Sequence, residues 1–333
     1  MLSSTSSSKL RIAERHYLKI IAAAVVIAIL FMTTLELAWR YLGYLPSVPD
    51  NDALWVVRRA KAVQDENVIA IAGSSRLLIG INTGIMEKEL PDKRIVQLAM
   101  NGSSSIPVFI DLANDERFTG KVICEIQSPW IYSDVSTMEA GPLERIEVYR
   151  HHSYVLGPET AMRLFLQKRL SMMRTELSPL KVSRRILARK SQDTVFMRFN
   201  GDRSYDIEFQ KLRWAAFFAR KGPLLDEDRV EAVLNAVKDA TAKLRARGGD
   251  VVFIRMVSSG EVYENEMINF PREKYWDRFA EIDGLTTIHF RDIPELEHFV
   301  CAEGSHLDYV EAEKFTEALM RVLRKSGFLD KKI

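Results

Sequence analysis

The run Val68-Ile69-Ala70-Ile71-Ala72 is apolar at every position and stops at Gly73-Ser74-Ser75. A strand apolar on both faces has to be covered on both, which is the situation of a parallel sheet. Short apolar runs recur over residues 94–99, 121–127, 250–256 and 285–290, with helical spacing over 53–64, 82–89, 105–113, 226–247 and 309–323. Strands alternating with helices predict an α/β fold, a three-layer α/β/α sandwich with a mainly parallel sheet. Such sheets bind ligands in the crevice at the carboxyl ends of their strands, where Gly73-Ser74-Ser75 falls. A serine there has its hydroxyl in the crevice and its backbone N–H near a helix start, as a nucleophile and an oxyanion donor require. A plain Gly-Ser turn joining strand to helix is the alternative.

The far end of the chain bears on that choice. Glu303-Gly304-Ser305-His306 lies just before the helical spacing of residues 309–323. A carboxylate three residues ahead of a histidine, in one tight loop, can hold the imidazole by one ring N–H and fix its tautomer. The other ring nitrogen is then free to take a proton from a serine. Ser75, His306 and Glu303 therefore form a candidate catalytic set at opposite ends of one α/β chain.

These blocks carry a resemblance to the SGNH (GDSL-like) hydrolases, in particular the membrane-anchored bacterial members that act on cell-envelope polymers. Gly73-Ser74-Ser75-Arg76 sits where that family has its Gly-Asp-Ser block, and Glu303-Gly304-Ser305-His306 where it has Asp-x-x-His. The resemblance implies Ser75 as nucleophile, His306 as base and Glu303 as its orienting carboxylate. Residues 97–102 look like the second block, which implies that the Gly102 N–H joins that of Ser75 in the oxyanion hole, and it covers roughly residues 66–325. Arg76 and Trp130 are expected in the substrate cleft. Ser128-Pro129-Trp130 is similar to a stretch in the SGNH-like proteins that help transfer D-alanine onto teichoic acids, although the residues themselves read first as a rigid turn with its aromatic on the sheet edge.

Three departures from the family pattern matter. Ser74 replaces an Asp, Glu303 replaces an Asp one methylene shorter, and the third block's Asn is missing after residues 121–127. Gln127 or Asn101 would have to supply that amide. Losing one oxyanion donor costs roughly 10²–10³ in rate.

Ahead of all this stands a second apolar run, the eighteen residues from Ile20 to Leu37, broken only by Thr33, Thr34 and Glu36. As a helix it is about 27 Å long, close to the hydrocarbon thickness of a bilayer. Trp39 and Tyr41 follow at interfacial depth, and Lys9, Arg11, Arg15 and Lys19 precede it, which by the positive-inside rule keeps the N-terminus cytoplasmic. A retained anchor is preferred to a cleaved signal peptide because no small-x-small site follows the run. The expected organisation is a cytoplasmic tail (1–17, its first eight residues disordered), a transmembrane anchor (18–41), a linker with a lead-in helix (42–65) and an extracytoplasmic SGNH-like domain (66–333).

Residues 128–225 are too long for a plain crossover and are expected to hold helices at 160–173 and 209–220. From Arg163 to Arg203 this insertion carries eleven basic residues, Arg184 and Arg185 among them, against Glu176, Asp193 and Asp202. It reads as a solvated basic face, or as a surface for anionic headgroups or an acidic glycan. The whole chain is nearly balanced at +2, which calls for no nucleic acid. Cys124 and Cys301 are the only cysteines; a bridge is allowed outside the cytoplasm, but two buried thiols fit their apolar settings. His151 and His152 have no carboxylate or Cys cluster and read as surface residues, His289 in a strand and His298 on a helix read as structural, and no metal and no cofactor is expected.

Two functions are compatible with these residues. One is an esterase or O-acyltransferase acting on acyl, for example acetyl, esters of an envelope polysaccharide or lipid-linked glycan, in partnership with the lipid bilayer and a membrane-embedded acyl carrier or transferase. The other is a catalytically silent SGNH-like scaffold in polysaccharide export or modification.

Overall fold

Five short runs pair into a single all-parallel sheet: β1 (Val68–Ala72), β2 (Arg94–Gln97), β3 (Lys121–Glu125), β6 (Asp250–Arg255) and β7 (Thr287–His289), in the order β2-β1-β3-β6-β7. The computed structural model describes residues 5–44, 46–48, 50–151, 157–174, 177–178, 180–183, 196–199, 205–208 and 224–329. In it α1 (Thr5–Tyr41) and α2 (Asp52–Lys61) precede the sheet, α3 (Ser75–Gly80) and α4 (Thr83–Glu89) join β1 to β2, and α5 (Ile106–Asn114) leads to β3. Then come α6 (Ser128–Tyr132), α7 (Ser136–His151), α8 (Pro158–Gln167) with a 3₁₀ turn (Ser171–Met173), and an antiparallel pair β4 (Phe196–Phe199) and β5 (Tyr205–Glu208). The remaining helices are α9 (Glu227–Ala246), α10 (Gly260–Asn269), α11 (Arg272–Ala280), α12 (Pro294–Glu297) and α13 (Tyr309–Lys325).

Side chains alternate across a strand, and here each alternate set has its own core. Ile69, Ile71, Ile123, Val252, Ile254 and Ile288 share one hydrophobic cluster with Leu77 of α3, Met86 of α4 and Phe315, Leu319 and Leu323 of α13. Val68, Ala70, Ala72, Val122, Cys124, Val251 and Phe253 share another with Trp55 of α2, Phe109 of α5, Val237 of α9 and Phe279 of α11. Phe253 is held edge-on between Phe109 and Phe279, with ring centroids 5.2 and 5.4 Å away. Each such fully buried side chain stabilises the fold by about 1.5–3 kcal/mol. This two-sided burial is why the strands lack polar alternation.

Connections leave β1 for β2 on one side and return to β3 on the other. That reversal opens a crevice beyond the carboxyl end of β1, the usual place for a ligand in an open α/β sheet.

The strands end earlier than their apolar runs. At β2 the Leu98 and Met100 N–H groups still donate to the Ile71 and Gly73 carbonyls of the β1 side, while the outward Ala99 N–H is taken by the Gln97 side chain at 3.0 Å. The tail differs from expectation too: residues 5–8 are helical and continue α1, as extending an existing helix costs far less than starting one. Residues His16–Tyr41 of α1 are long and apolar enough to cross a membrane, and none of its most apolar window is buried inside the protein.

The stretch expected as one helix over 160–173 is broken between α8 and the 3₁₀ turn. There the N–H groups of Ser171 and Met172 donate to the Glu36 carboxylate of α1 (2.9 and 3.0 Å) rather than continuing an i→i−4 ladder. The insertion closes where it opens, with the Leu225 N–H bonded to the Tyr132 carbonyl at 3.0 Å. The helix expected over 209–220, His152, and Arg184, Arg185, Arg189, Lys190 and Arg203 of the basic stretch lie outside the described residues.

Candidate functional site

The chain leaves β1 at Gly73, and Ser74 caps α3 by accepting the Arg76 N–H on its side chain. Ser75 is thereby the first residue of α3, held at the crevice. A β-carbon on Gly73 would lie 2.6 Å from the Leu77 Cβ and 2.9 Å from Glu125 Oε2, so the turn has room for glycine only.

The histidine loop comes from the other end of the chain. Gly304, at φ +91°, turns it, and a β-carbon there would meet Val262 and the Ser259 carbonyl. Ser259, in the loop after β6, anchors it twice: its N–H donates to the Gly304 carbonyl (2.9 Å) and its hydroxyl oxygen accepts the Cys301 N–H (2.9 Å). Within the loop the Ala302 N–H donates to the His306 carbonyl at 3.1 Å.

Three side chains expected together from the sequence meet here. The Ser75 Oγ lies 2.8 Å from His306 Nε2, and His306 Nδ1 is hydrogen-bonded to Glu303 Oε1. With the carboxylate accepting from Nδ1–H, Nε2 is the acceptor of the Ser75 proton. The Glu303 side chain is 2 % exposed, that of His306 15 % and Ser75 9 %, so the relay is largely shielded from water. The arrangement can take a proton from a hydroxyl and hold the resulting imidazolium beside a buried negative charge.

No family model matches this chain. No curated protein matches it either.

A carboxylate that the sequence reading passed over organises the serine turn. Glu125, the last residue of β3, is fully buried and accepts from the Ser74 N–H (2.7 Å), the Ser74 hydroxyl (2.9 Å) and the Gln127 amide (2.8 Å). An acidic residue ending an otherwise apolar strand was the available signal, since a carboxylate survives in a core only where donors converge on it. The same bonds bear on the candidate amides. Gln127 is spent on Glu125 and, at 3.3 Å, on the Ser74 hydroxyl, so it belongs to the turn's support. Asn101 and Gly102 lie in the exposed turn after β2, Gly102 at φ +63°, and no hydrogen bond joins either to Ser75 among the described residues. The turn is tied to the serine loop through the Met100 N–H, which donates to the Gly73 carbonyl at 2.9 Å.

Arg76 and Trp130 depart from expectation. Arg76 is 3 % exposed and internal: its guanidinium donates to the Ser305 hydroxyl (3.1 Å) and pairs with Glu266 of α10 (2.5 Å). It is drawn inward because Glu266, also held by Arg255 and the Ser258 hydroxyl, offers a buried counter-charge. Burial alone pushes the Glu266 carboxyl up, and the Arg255 and Arg76 guanidiniums beside it more than reverse this, holding it down to about 2. Arg76 thus couples the serine helix to the histidine loop instead of lining a cleft. Trp130, 3 % exposed, packs in the core with Phe109 and Phe253, the outcome in which its aromatic serves the sheet.

Cys124 and Cys301 are buried free thiols, each pushed up by burial to about 12. Among the described residues no group of three or more His, Cys, Asp or Glu is placed to hold a metal ion. His289 is buried between Trp276 and Phe290 and accepts the Arg291 N–H, while His298 is exposed on the turn after α12. His151 is exposed beside Glu147.

Proposed function

We propose that this chain is a membrane-anchored, SGNH-like serine esterase or O-acyltransferase whose three-layer α/β/α domain works outside the cytoplasmic membrane. Its substrate would be acyl esters, acetyl among them, on an envelope polysaccharide or lipid-linked glycan, handed on by a membrane-embedded acyl carrier or transferase. The single observation that carries the reading is the Ser75–His306–Glu303 relay with its 2.8 Å contact. The two core clusters on alternate strand residues support the three layers. The long apolar α1 supports the anchor, and the basic residues Lys9, Arg11, Arg15 and Lys19 before its apolar run support an N-terminus on the cytoplasmic side.

In the proposed reaction the Ser75 oxygen bonds to the ester carbonyl carbon while its proton passes to His306 Nε2. Glu303 stabilises the imidazolium, and the backbone N–H groups of Ser75 and Gly102 receive the negative oxygen. The alcohol leaves with the proton from His306. Water or a sugar hydroxyl, deprotonated by the same nitrogen, then breaks the acyl–serine bond and restores the enzyme.

One observation favours the scaffold reading: the Gln127 amide is committed to Glu125 and Ser74, which leaves no side-chain amide from the end of β3 for an oxyanion. Fluorophosphonate labelling of the full chain in detergent separates the two. Labelling that is lost in both Ser75→Ala and His306→Ala is the expected result. A folded wild-type chain that does not label would reject the enzyme and leave the scaffold.

A further inference from the structure

An apolar stripe faces outward on α8. Thr160 and Gln167 are buried and Leu164 packs against the core, so the inner face of this helix is already used. Met162 and Phe165 nevertheless stand 60 % and 50 % exposed on the opposite side. Phe165 carries the Arg169 guanidinium over its ring at 3.8 Å, and Lys168 and Arg169 are exposed at the helix end. Apolar side chains flanked by long cationic ones, on the face turned away from the core, are the composition of a helix lying in a bilayer interface.

The position of this helix relative to α1 says what covers the stripe. Glu36 accepts the N–H groups of Ser171 and Met172, and the Arg40 guanidinium donates to both the Glu36 carboxylate and the Arg169 carbonyl (2.7 Å). A carboxylate near the end of an apolar span is costly unless partnered, and here the turn after α8 is its partner. The apolar run of α1 begins at Ile20, and Glu36 is about 24 Å further along the helix axis. Glu36, Arg40 and the turn bonded to them therefore fall at the edge of the hydrocarbon layer. Phe165 is one helical turn from Arg169, so its exposed face is continuous with that level.

We propose that the outward face of α8, Met162 and Phe165 with Arg169, inserts into the headgroup region of the bilayer that α1 spans. The inference rests on α1 being a membrane span. With two attachments, α1 and α8, joined rigidly through Glu36 and Arg40, the domain holds one tilt relative to the membrane instead of swinging on a tether.

The test uses the full chain in phosphatidylethanolamine/phosphatidylglycerol nanodiscs, with an environment-sensitive fluorophore on Val26→Cys, Met162→Cys or Phe165→Cys. The native thiols are buried, and the unsubstituted chain serves as the labelling blank. Nitroxide-bearing lipids should remove most of the fluorescence at 26 with the nitroxide deep in the acyl chain, and at 162 and 165 with it near the headgroup. Quenching at 26 by lipid, with 162 and 165 quenched by aqueous iodide alone, would overturn the inference and leave the span intact. Iodide quenching at all three positions would overturn both.

Discussion

Removing the Glu125 carboxylate should loosen the serine turn more than removing any ordinary surface charge. In Glu125→Met the side chain keeps its length, while the Ser74 N–H, the Ser74 hydroxyl and the Gln127 amide all lose an acceptor inside the core. The Ser74 hydroxyl and the half-buried Gln127 amide can rotate, which leaves the Ser74 N–H as the one fixed donor stranded. At about 1–3 kcal/mol for a buried donor without a partner, the expected loss is about 1–3 kcal/mol. Glu125→Gln retains one acceptor oxygen and should fall between this variant and the wild type. With about 2 °C of melting temperature per kcal/mol in a domain of this size, Glu125→Met should melt about 2–6 °C lower, read by tryptophan fluorescence of the detergent-solubilised chain. Because Glu125 holds the backbone immediately before Ser75, fluorophosphonate labelling should slow even at temperatures where the variant is fully folded. A Glu125→Met protein that melts within 1–2 °C of the wild type and labels at the same rate would refute the clamp.

Gly73→Ala should cost about 1–3 kcal/mol in the same melting assay, because its methyl would stand 2.6 Å from the Leu77 Cβ. His289 is held neutral by burial and by the nearby Arg255 and Arg272, its folded pKa pushed down to about 3 from an ordinary 6.5. The unfolded chain therefore binds a proton below about pH 6.5 that the folded chain refuses. Stability should be full above that pH and fall by about 1.4 kcal/mol per pH unit towards pH 3. His289→Gln should flatten this slope in denaturant titrations across that range; an unchanged slope would assign the acid sensitivity to other groups.

Much of this architecture could be read from periodicity. All five sheet strands follow short apolar runs, and α2, α4, α5, α9 and α13 follow helical spacing to within a few residues. The relay was readable because each half is local: a turn after a strand, and a carboxylate three residues from a histidine. Less readable were elements whose local signals conflict. Gly141-Pro142 reads as a break, yet α7 runs through it. The helices α10 and α11 fall between clear strands and carry mixed charge with little regular spacing. Roles that depend on partners distant in sequence were hidden altogether. Arg76 reads as a cleft residue until Glu266 is found 190 positions away, and Glu125 reads as the end of a strand until Ser74 closes on it from β1. Glu36 likewise interrupts an apolar run with only Arg40 to answer it locally; its other partners, the N–H groups of Ser171 and Met172, lie 135 and 136 positions away.

Ser75 and His306 are 231 positions apart, which has a bearing on timing. At about 5–20 residues per second of synthesis, the histidine follows the serine by about 10–50 s. Throughout that interval the nascent chain carries Ser75 without the His306 nitrogen that would accept its proton. The helix that follows the histidine, α13, also supplies Phe315, Leu319 and Leu323 to the cluster packed around α3. His306 and the share of the core that α13 supplies thus arrive together. Chains interrupted before residue 306 should therefore fail to label at Ser75 with a fluorophosphonate.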